Sequence, residues 1–334
     1  MERSVAFEFL YADWLGKPLW MWFVFLGIVV ALLVFDLGIL HRETREIGVR
    51  ESLVMSGVYL SLGMLFGAWI WWQLGATAGM NYVTGFAVEK ALAMDNVFVM
   101  AMIFAYLGIP AKYQHRVLFW GILGVIVLRA VMIGAGAAVV SQFSWVLHVF
   151  AVFLIATGIK MLAFADKEYD VGSNPILRFM RRRFRVTDEL HGEKFFVMQP
   201  NAAGANVRYM TPLFMALVLI ELADVIFAVD SVPAIFAITT DPFIVYTSNI
   251  FAILGLRALY FALAAMIHRF HYLKYALAAV LIFIGGKIIG ADLLGIEKVP
   301  AVVSLGVTFT LLISGVVWSL YKTRATAGVS EERI

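Results

Sequence analysis

The chain has 334 residues, of which 62% are hydrophobic, 15% are charged and none is cysteine. Soluble domains carry about 25% charged and 45–50% apolar residues, so the composition excludes an ordinary water-soluble enzyme and a disordered or fibrous chain, and points to the bilayer as solvent. The missing thiols exclude disulfides, thiolate nucleophiles and thiolate metal sites, and the net charge of +3 is what positive-inside loops leave on a membrane protein, so no nucleic-acid partner is expected.

A membrane-crossing helix needs roughly 20 mostly apolar residues. In chain order, nine stretches qualify: Leu19 to Leu40, Ser52 to Leu74, Met80 to Leu107, Val117 to Val140, Val146 to Phe164, Pro212 to Val232, Phe243 to Ile267, Tyr275 to Ala291 and Ala301 to Tyr321. Trp69, Trp71 and Trp72 close the second as an interfacial belt would. Residues 1–18 lack a basic amino-terminal run, so no cleavable signal is expected. Alternate connections (41–51, 108–116, 165–209, 267–274 and the tail from 322) hold 18 of the 26 lysines and arginines, whereas the opposite set holds only Arg3, Lys17 and Lys298. That asymmetry predicts an external amino terminus and a cytoplasmic carboxyl terminus.

The expected fold is an all-α polytopic membrane protein of about nine transmembrane helices. It divides into two amino-terminal helices (1–79), a first block of helices three to five (80–164), a basic cytoplasmic loop (165–209), a second block of helices six to eight (210–291), and a final helix with its tail (292–334). The 165–209 loop carries Arg178, Arg181, Arg182, Arg183 and Arg185. It serves first to fix topology and secondly as a possible protein-partner or lipid patch. Gly285-Gly286-Lys287 lacks the spacing of a phosphate cradle.

The two three-helix blocks resemble each other. Glu89 precedes Asp95 by six residues and Asp224 precedes Asp230 by six; Leu128-Arg129-Ala130 matches Leu256-Arg257-Ala258, and Lys160 and Lys287 follow those arginines by 31 and 30 residues. Three helices is an odd number, so the second block enters from the opposite side and the repeat is inverted; in such folds substrate sits near the midplane between the repeats. Thr211 before Pro212 and Asp241 before Pro242 are expected to cap helices, and Pro233 to break or kink the sixth span.

Six acids fall inside spans: Asp36, Glu89, Asp95, Glu221, Asp224 and Asp230. A charge at the bilayer centre costs at least ~2.5 kcal/mol, so such residues face partners or a wet cavity and mark an ion or proton path. Lys90, Arg129, Lys160, Arg257 and Lys287 lie there too, and the symmetric four among them read as counterions. Six residues rotate a helix by about 240°, so Glu89 and Asp95 do not share a narrow face, whereas Asn96 and Glu89 do. Carboxylate, amide, hydroxyl and carbonyl oxygens suit Mg, Ca and Mn. The six histidines fall in loops or at span ends and read as solvated; no base–nucleophile–oxyanion arrangement suggests an enzyme.

The segments Glu89-Lys90-Ala91-Leu92-Ala93-Met94-Asp95-Asn96-Val97-Phe98 and Glu221-Leu222-Ala223-Asp224-Val225-Ile226-Phe227-Ala228-Val229-Asp230-Ser231-Val232-Pro233, with Thr247-Ser248-Asn249 further on, resemble the signatures of the TerC family of integral membrane proteins, in particular its Alx-like branch. The resemblance covers nearly the whole chain. It implies a multi-pass protein of the bacterial inner membrane within the LysE-type exporter superfamily, with manganese(II) export as its role. By motif position it implies metal handling by Glu89, Asp95, Asn96, Asp224, Asp230 and Ser231. Asp36, Glu221, Arg129, Lys160, Arg257 and Lys287 remain for proton transfer or support around them.

The resulting expectation is a secondary transporter that moves Mn(II) out by proton-coupled alternating access. It would hold no resident cofactor, with Mn(II) as cargo and the bilayer as its surroundings. The alternatives are a non-transporting membrane protein supporting metalation or stress responses, such as the redox modulation that Alx-like proteins have been labelled with, and an exporter of another cation or of an oxyanion such as tellurite held by Arg129 and Arg257.

Overall fold

A computed structural model of the chain describes residues 8–38, 48–163, 171–173, 175–200, 205–264, 273–295 and 299–331. Within these, each of the nine apolar stretches is helical. The helices are α1 (Leu19–Gly38), α2 (Val49–Leu74), α3 (Ala76–Tyr106), α4 (Ala111–Gln142), α5 (Val146–Ala163), the short α6 (Pro175–Arg183), α7 (Pro212–Ile238), α8 (Pro242–Leu254), α9 (Leu256–Ala264), α10 (Leu273–Leu293) and α11 (Ala301–Glu331). Six described helices are long and apolar enough to cross a membrane by themselves, and the bent pair α8–α9 makes a seventh. In α1 the apolar stretch is shorter, at Leu19–Phe35. α3 has ample length at 31 residues, about 46 Å at 1.5 Å per residue, but carries Glu89, Lys90 and Asp95 in its middle.

Two hairpins add to the helical reading. β1 (Asp13–Trp14) and β2 (Lys17–Pro18) pair antiparallel ahead of α1 around Leu15-Gly16, both at positive φ, the geometry of a tight two-residue turn. β3 (Phe196–Pro200) and β4 (Asn206–Met210) pair antiparallel within the basic segment. That segment therefore has structure of its own: Leu177 and Met180 of α6 are buried in the main apolar core, while its arginines and Phe179 stay outside.

Burial separates the helices into an interior and a rim. Phe23, Val30, Leu65, Trp72 and Val317 of α1, α2 and α11 point outward, as lipid-facing side chains do, because hydrocarbon is no less apolar than a protein core. α8 is buried at Phe243–Val245 and again without interruption from Thr247 to Leu254. α2 approaches α3 closely through Gly63 and Gly67, where an added Cβ would lie 2.6 Å from the Phe86 ring and 2.7 Å from the Tyr82 ring, and the Tyr82 hydroxyl donates to the Gly63 carbonyl at 2.9 Å. Small residues at this spacing let a neighbouring membrane helix come close, and here they make room for two aromatic rings of α3 against the α2 backbone.

The sixth span does not break at Pro233. α7 runs through Pro233 to Ile238 without ending. Proline removes one backbone donor and crowds the carbonyl four residues back, but every residue from Ser231 to Ala237 is buried against neighbours, and that packing holds the helix together. The break falls in the next span instead, between α8 and α9, which meet at 41° around Gly255. Thr211 occupies the N-cap position of α7 without capping through its side chain: its hydroxyl donates to the Lys194 carbonyl at 2.7 Å, where the preceding hairpin returns. Asp241 does cap, accepting from the Phe243 and Ile244 amides at 3.0 and 3.4 Å.

At the α8–α9 break, a Cβ on Gly255 would lie 2.7 Å from the Lys90 Nζ and 3.0 Å from the Tyr59 Cβ, while Lys90 donates to the Ala252 carbonyl at 3.0 Å. Gly255→Ala is therefore expected to destabilise the protein by about 1–3 kcal/mol through overpacking. Thermal unfolding of the purified protein in detergent checks this, with Gly286→Ala, which meets open space, as the neutral comparison.

Candidate cation site inside the bundle

α3, α4, α7 and α8 converge on one polar cluster. The apolar surroundings are built from the opposite faces of the same helices, so the cluster is dry: Glu89, Asn96, Arg129, Asp224, Ser231 and Asn249 are each 3% exposed or less. A buried charge in such a place must be paired and hydrogen-bonded, and here Arg129 provides the pairing. Its Nη2 and Nε donate to the two carboxyl oxygens of Asp224 at 3.1 and 3.3 Å, the two-pronged contact that the planar guanidinium favours. Its Nη1 donates to Glu89, to the Ser231 hydroxyl at 2.9 Å and to the Asn249 amide oxygen at 3.2 Å. Asn249 returns its amide N–H to the second Glu89 oxygen at 3.0 Å, and Asn96 donates to Asp224 at 3.1 Å. One arginine thus ties four helices together, with two carboxylates and one guanidinium leaving one net negative charge.

A cavity of about 200 Å³ lies against this cluster, lined by Asn96, Arg129, Asp230 and Ser231 on its polar side and by Leu92, Met161, Phe227 and Leu281 on its apolar side. At that size it holds several waters or one partly hydrated ion. Asp230 faces it half-buried and accepts from the Thr157 hydroxyl of α5 at 3.1 Å.

The implied metal residues therefore fall into two groups. Glu89, Asn96, Asp224 and Ser231 belong to the arginine-centred network; Asn96 and Ser231 also border the cavity, where Asp230 stands. The side chains of Asp36 on α1 and Asp95 on α3 lie outside the described residues. Among the described residues no three histidine, aspartate or glutamate side chains form a ready-made cage for a metal; the Glu89 and Asp224 carboxylates are bridged by Arg129.

Of the supporting candidates, Arg129 is the centre of the network, and the other described ones are spread around it. Glu221 leans on the glycine face of α4, where any side chain at Gly124 would strike its carboxyl group, and its Oε2 is buried with no hydrogen-bond partner. Arg257 is buried in α9 beside a separate void of about 10 Å³ lined by Met100, Leu118 and Ile253. Lys287 donates to the Ser304 hydroxyl of α11 at 3.1 Å, and Lys160 is exposed near the end of α5.

The sequence model described as "Integral membrane protein TerC family" matches residues 74–327. The chain belongs to the TerC family. An "Uncharacterized membrane protein" of Rickettsia bellii is 48% identical over 301 residues, covering 90% of this chain and 97% of its own. A relative in Myxococcus xanthus is 46% identical over 92% of this chain and 94% of its own. A third, from Escherichia coli K12, named "Putative membrane-bound redox modulator Alx", is 46% identical over 89% of this chain and 93% of its own. No solved structure matches the chain. This TerC protein is a multi-pass protein of the bacterial inner membrane.

Every residue of the arginine-centred network lies within the matched TerC segment. Three of the residues that build the site stand outside both acidic signatures: Arg129 itself, Asn249, which closes the loop between Arg129 and Glu89, and Thr157, which holds Asp230. An amide in the middle of an otherwise apolar span was the available signal for Asn249, since such groups are retained where they have partners. A lone threonine in α5 carries no comparable signal, because threonines in membrane helices satisfy themselves on the preceding turn, as Thr247 does on the Phe243 carbonyl.

Proposed function

We propose that this TerC protein is a secondary transporter that exports a divalent cation, Mn(II) foremost, with protons moving in exchange. The observation that carries the reading is the cavity beside Asp230, Asn96 and Ser231 in the interior of an apolar bundle, set against two further buried carboxylates. Oxygen donors of this kind suit hard and borderline divalent ions, and a polar cavity at membrane depth is the expected place for transported cargo. The helix packing supports a pair of inverted repeats, α3–α5 and α7–α10: α4 lies on α7 as α8 lies on α3, α3 meets α7, and α5 meets α10. That reciprocal arrangement is what a two-fold relation in the membrane plane produces, and rocking one repeat against the other would open the cavity to each side in turn.

Two observations weigh against the alternatives. All three nitrogens of Arg129 are committed to carboxylate, hydroxyl and amide partners, leaving it a poor anchor for an oxyanion such as tellurite. Redox modulation through thiols has no chemistry to draw on in these 334 residues, which contain no cysteine. A transporter of this class needs neither an enzymatic centre nor a resident cofactor.

The test is ion flux in proteoliposomes across Mn(II), Mg(II), Ca(II) and tellurite, with and without a pH gradient. Mn(II) efflux that accelerates when protons can run in the opposite direction supports the reading. Absence of flux for every ion, while the basic 165–209 segment is required for a cellular phenotype, would replace it with a partner-binding role.

A further inference from the structure

The arrangement of Arg129 has a functional consequence that rests on the cation-transport reading and deepens it. We infer that Arg129 is a tethered counter-cation, which occupies the Glu89–Asp224 carboxylate pair when no metal is there and competes with the transported cation for it. Three features carry this. The guanidinium sits between the two carboxylates and takes both oxygens of Asp224 and one of Glu89, so a cation drawing on this pair has to displace it. The same guanidinium borders the cavity of about 200 Å³, which gives the side chain a volume to withdraw into. On the wall of that cavity stands Asp230, held only by Thr157 among its described hydrogen bonds, a carboxylate that can receive the displaced charge.

Electrostatics favours exchange over co-occupancy. With Arg129 in place, the two carboxylates carry one net negative charge. A divalent ion added to that pair beside an unmoved guanidinium would leave the pair and its two cations with one net positive charge and place the cations at contact distance. Like charges at such separation repel strongly when water is excluded. Exchange keeps Glu89 and Asp224 paired with a cation before, during and after passage, at one net negative charge with the guanidinium and at zero with the divalent ion. It also keeps the empty carrier from presenting a bare dianion to other cations, a form of selectivity by internal competition. A structural arginine would require none of the bordering space and would hold the pair permanently.

The test uses the full-length purified protein, its Arg129→Ala and Arg129→Lys variants, MnCl2 and guanidinium chloride. Free Mn(II) is followed by its electron paramagnetic resonance signal, and thermal unfolding in parallel reports the folded fraction. Removing the tethered competitor is expected to tighten Mn(II) binding in Arg129→Ala by about tenfold or more, equivalent to at least ~1.4 kcal/mol, and to enlarge the Mn(II)-induced rise in Tm, because ligand that binds only the native state stabilises it. Millimolar guanidinium should weaken Mn(II) binding to Arg129→Ala and leave the parent unaffected. If folded Arg129→Ala binds Mn(II) no tighter than the parent, or if guanidinium restores Mn(II) binding rather than opposing it, Arg129 is a scaffold and the inference is overturned. Should Arg129→Ala fail to fold, Arg129→Lys decides: lysine keeps the charge but loses the forked contact, so binding tightens by a smaller factor if Arg129 competes and is unchanged if it does not. Parent protein that carries Mn(II) while neither variant binds it tighter leaves transport standing and removes only the counter-cation. Parent protein that neither binds nor moves any divalent ion removes the transport reading itself.

Discussion

Arg129→Met is expected to be the most destabilising single substitution in the interior, at about 3–5 kcal/mol, because removing one partner of a buried ion pair leaves its counter-charge unpaired and desolvated. Here two carboxylates, Glu89 and Asp224, lose their common partner at once, and Ser231 and Asn249 lose a donor each. The cost lies in the stranded charges rather than in the missing contacts, which gives the prediction a second half. Arg129→Met combined with Glu89→Gln and Asp224→Asn removes those charges, and amides and methionine of similar volume can share the remaining hydrogen bonds. The triple variant should therefore recover most of the lost stability, as neutral replacements of buried ion networks do. Ser231→Ala, which deletes one hydroxyl acceptor, should cost only about 1 kcal/mol. Reversible unfolding in mixed micelles, titrated with SDS, measures all three. If the triple variant stays as unstable as Arg129→Met, the network is held by packing around the arginine stem and the electrostatic account fails.

Why the helices were legible and the network only partly so follows from the physics of each. Hydropathy reports the solvent around a segment, and lipid demands that every spanning backbone satisfy its own hydrogen bonds as a helix. Among the described residues each of the nine apolar stretches is accordingly helical, to within a few residues at most ends. Where each helix turns or ends depends on neighbours far away in sequence. Pro233 carries the ordinary break signal, yet the burial of Ser231–Ala237 overrides it. Gly255 carries a weaker signal and hosts the actual break, because Lys90 and Tyr59 crowd it and the Lys90 ammonium takes the Ala252 carbonyl near the end of α8. The pairs Thr211-Pro212 and Asp241-Pro242 look alike as helix starts, but the Lys194 carbonyl captures the threonine's one hydroxyl, whereas the aspartate keeps Oδ1 on its own helix while Oδ2 pairs with Lys17 at 2.8 Å.

Within the site, the helical angle between Glu89 and Asn96 was readable, and both side chains join one network through Asp224 and Arg129. The identity of the arginine that pairs with them was not, since Arg129 and Arg257 are matched in the repeat and nothing local separates them. Only the packing of α4 on α7, beside α3, puts Arg129 between the acids while Arg257 on α9 lines a different void. Motif position alone implies metal handling by Glu89, Asp95, Asp224 and Asp230 and says nothing of how buried each one is. The structure divides those it describes by environment, with two buried and sharing the Arg129 guanidinium and Asp230 open to the cavity, and that division leads to the second large effect.

Asp230→Asn and Asp224→Asn are expected to separate transport from stability although the chemical change is the same. Asp230 is half-buried at the cavity and makes one described hydrogen bond, accepted from Thr157 at 3.1 Å. Asparagine keeps an oxygen for that bond, so the folding cost should stay within about 0.5–1.5 kcal/mol, the value of a single hydrogen bond. The charge that would meet the cation is gone, and Mn(II) flux in proteoliposomes should fall by about a hundredfold or more, which corresponds to roughly 2.7 kcal/mol of added barrier. At Asp224 the substitution acts on the core. The Arg129 Nε and Nη2 and the Asn96 amide all donate into this carboxylate, so an amide NH2 in place of one oxygen sets donor against donor and leaves part of the guanidinium charge uncompensated. Asp224→Asn should lose about 3 kcal/mol or more of stability together with its flux, and the fraction that remains folded should bind Mn(II) weakly. Flux that survives in Asp230→Asn but is lost in folded Asp224→Asn would take Asp230 off the path and leave the carboxylate pair, with Arg129 as its competitor, as the group that holds the ion.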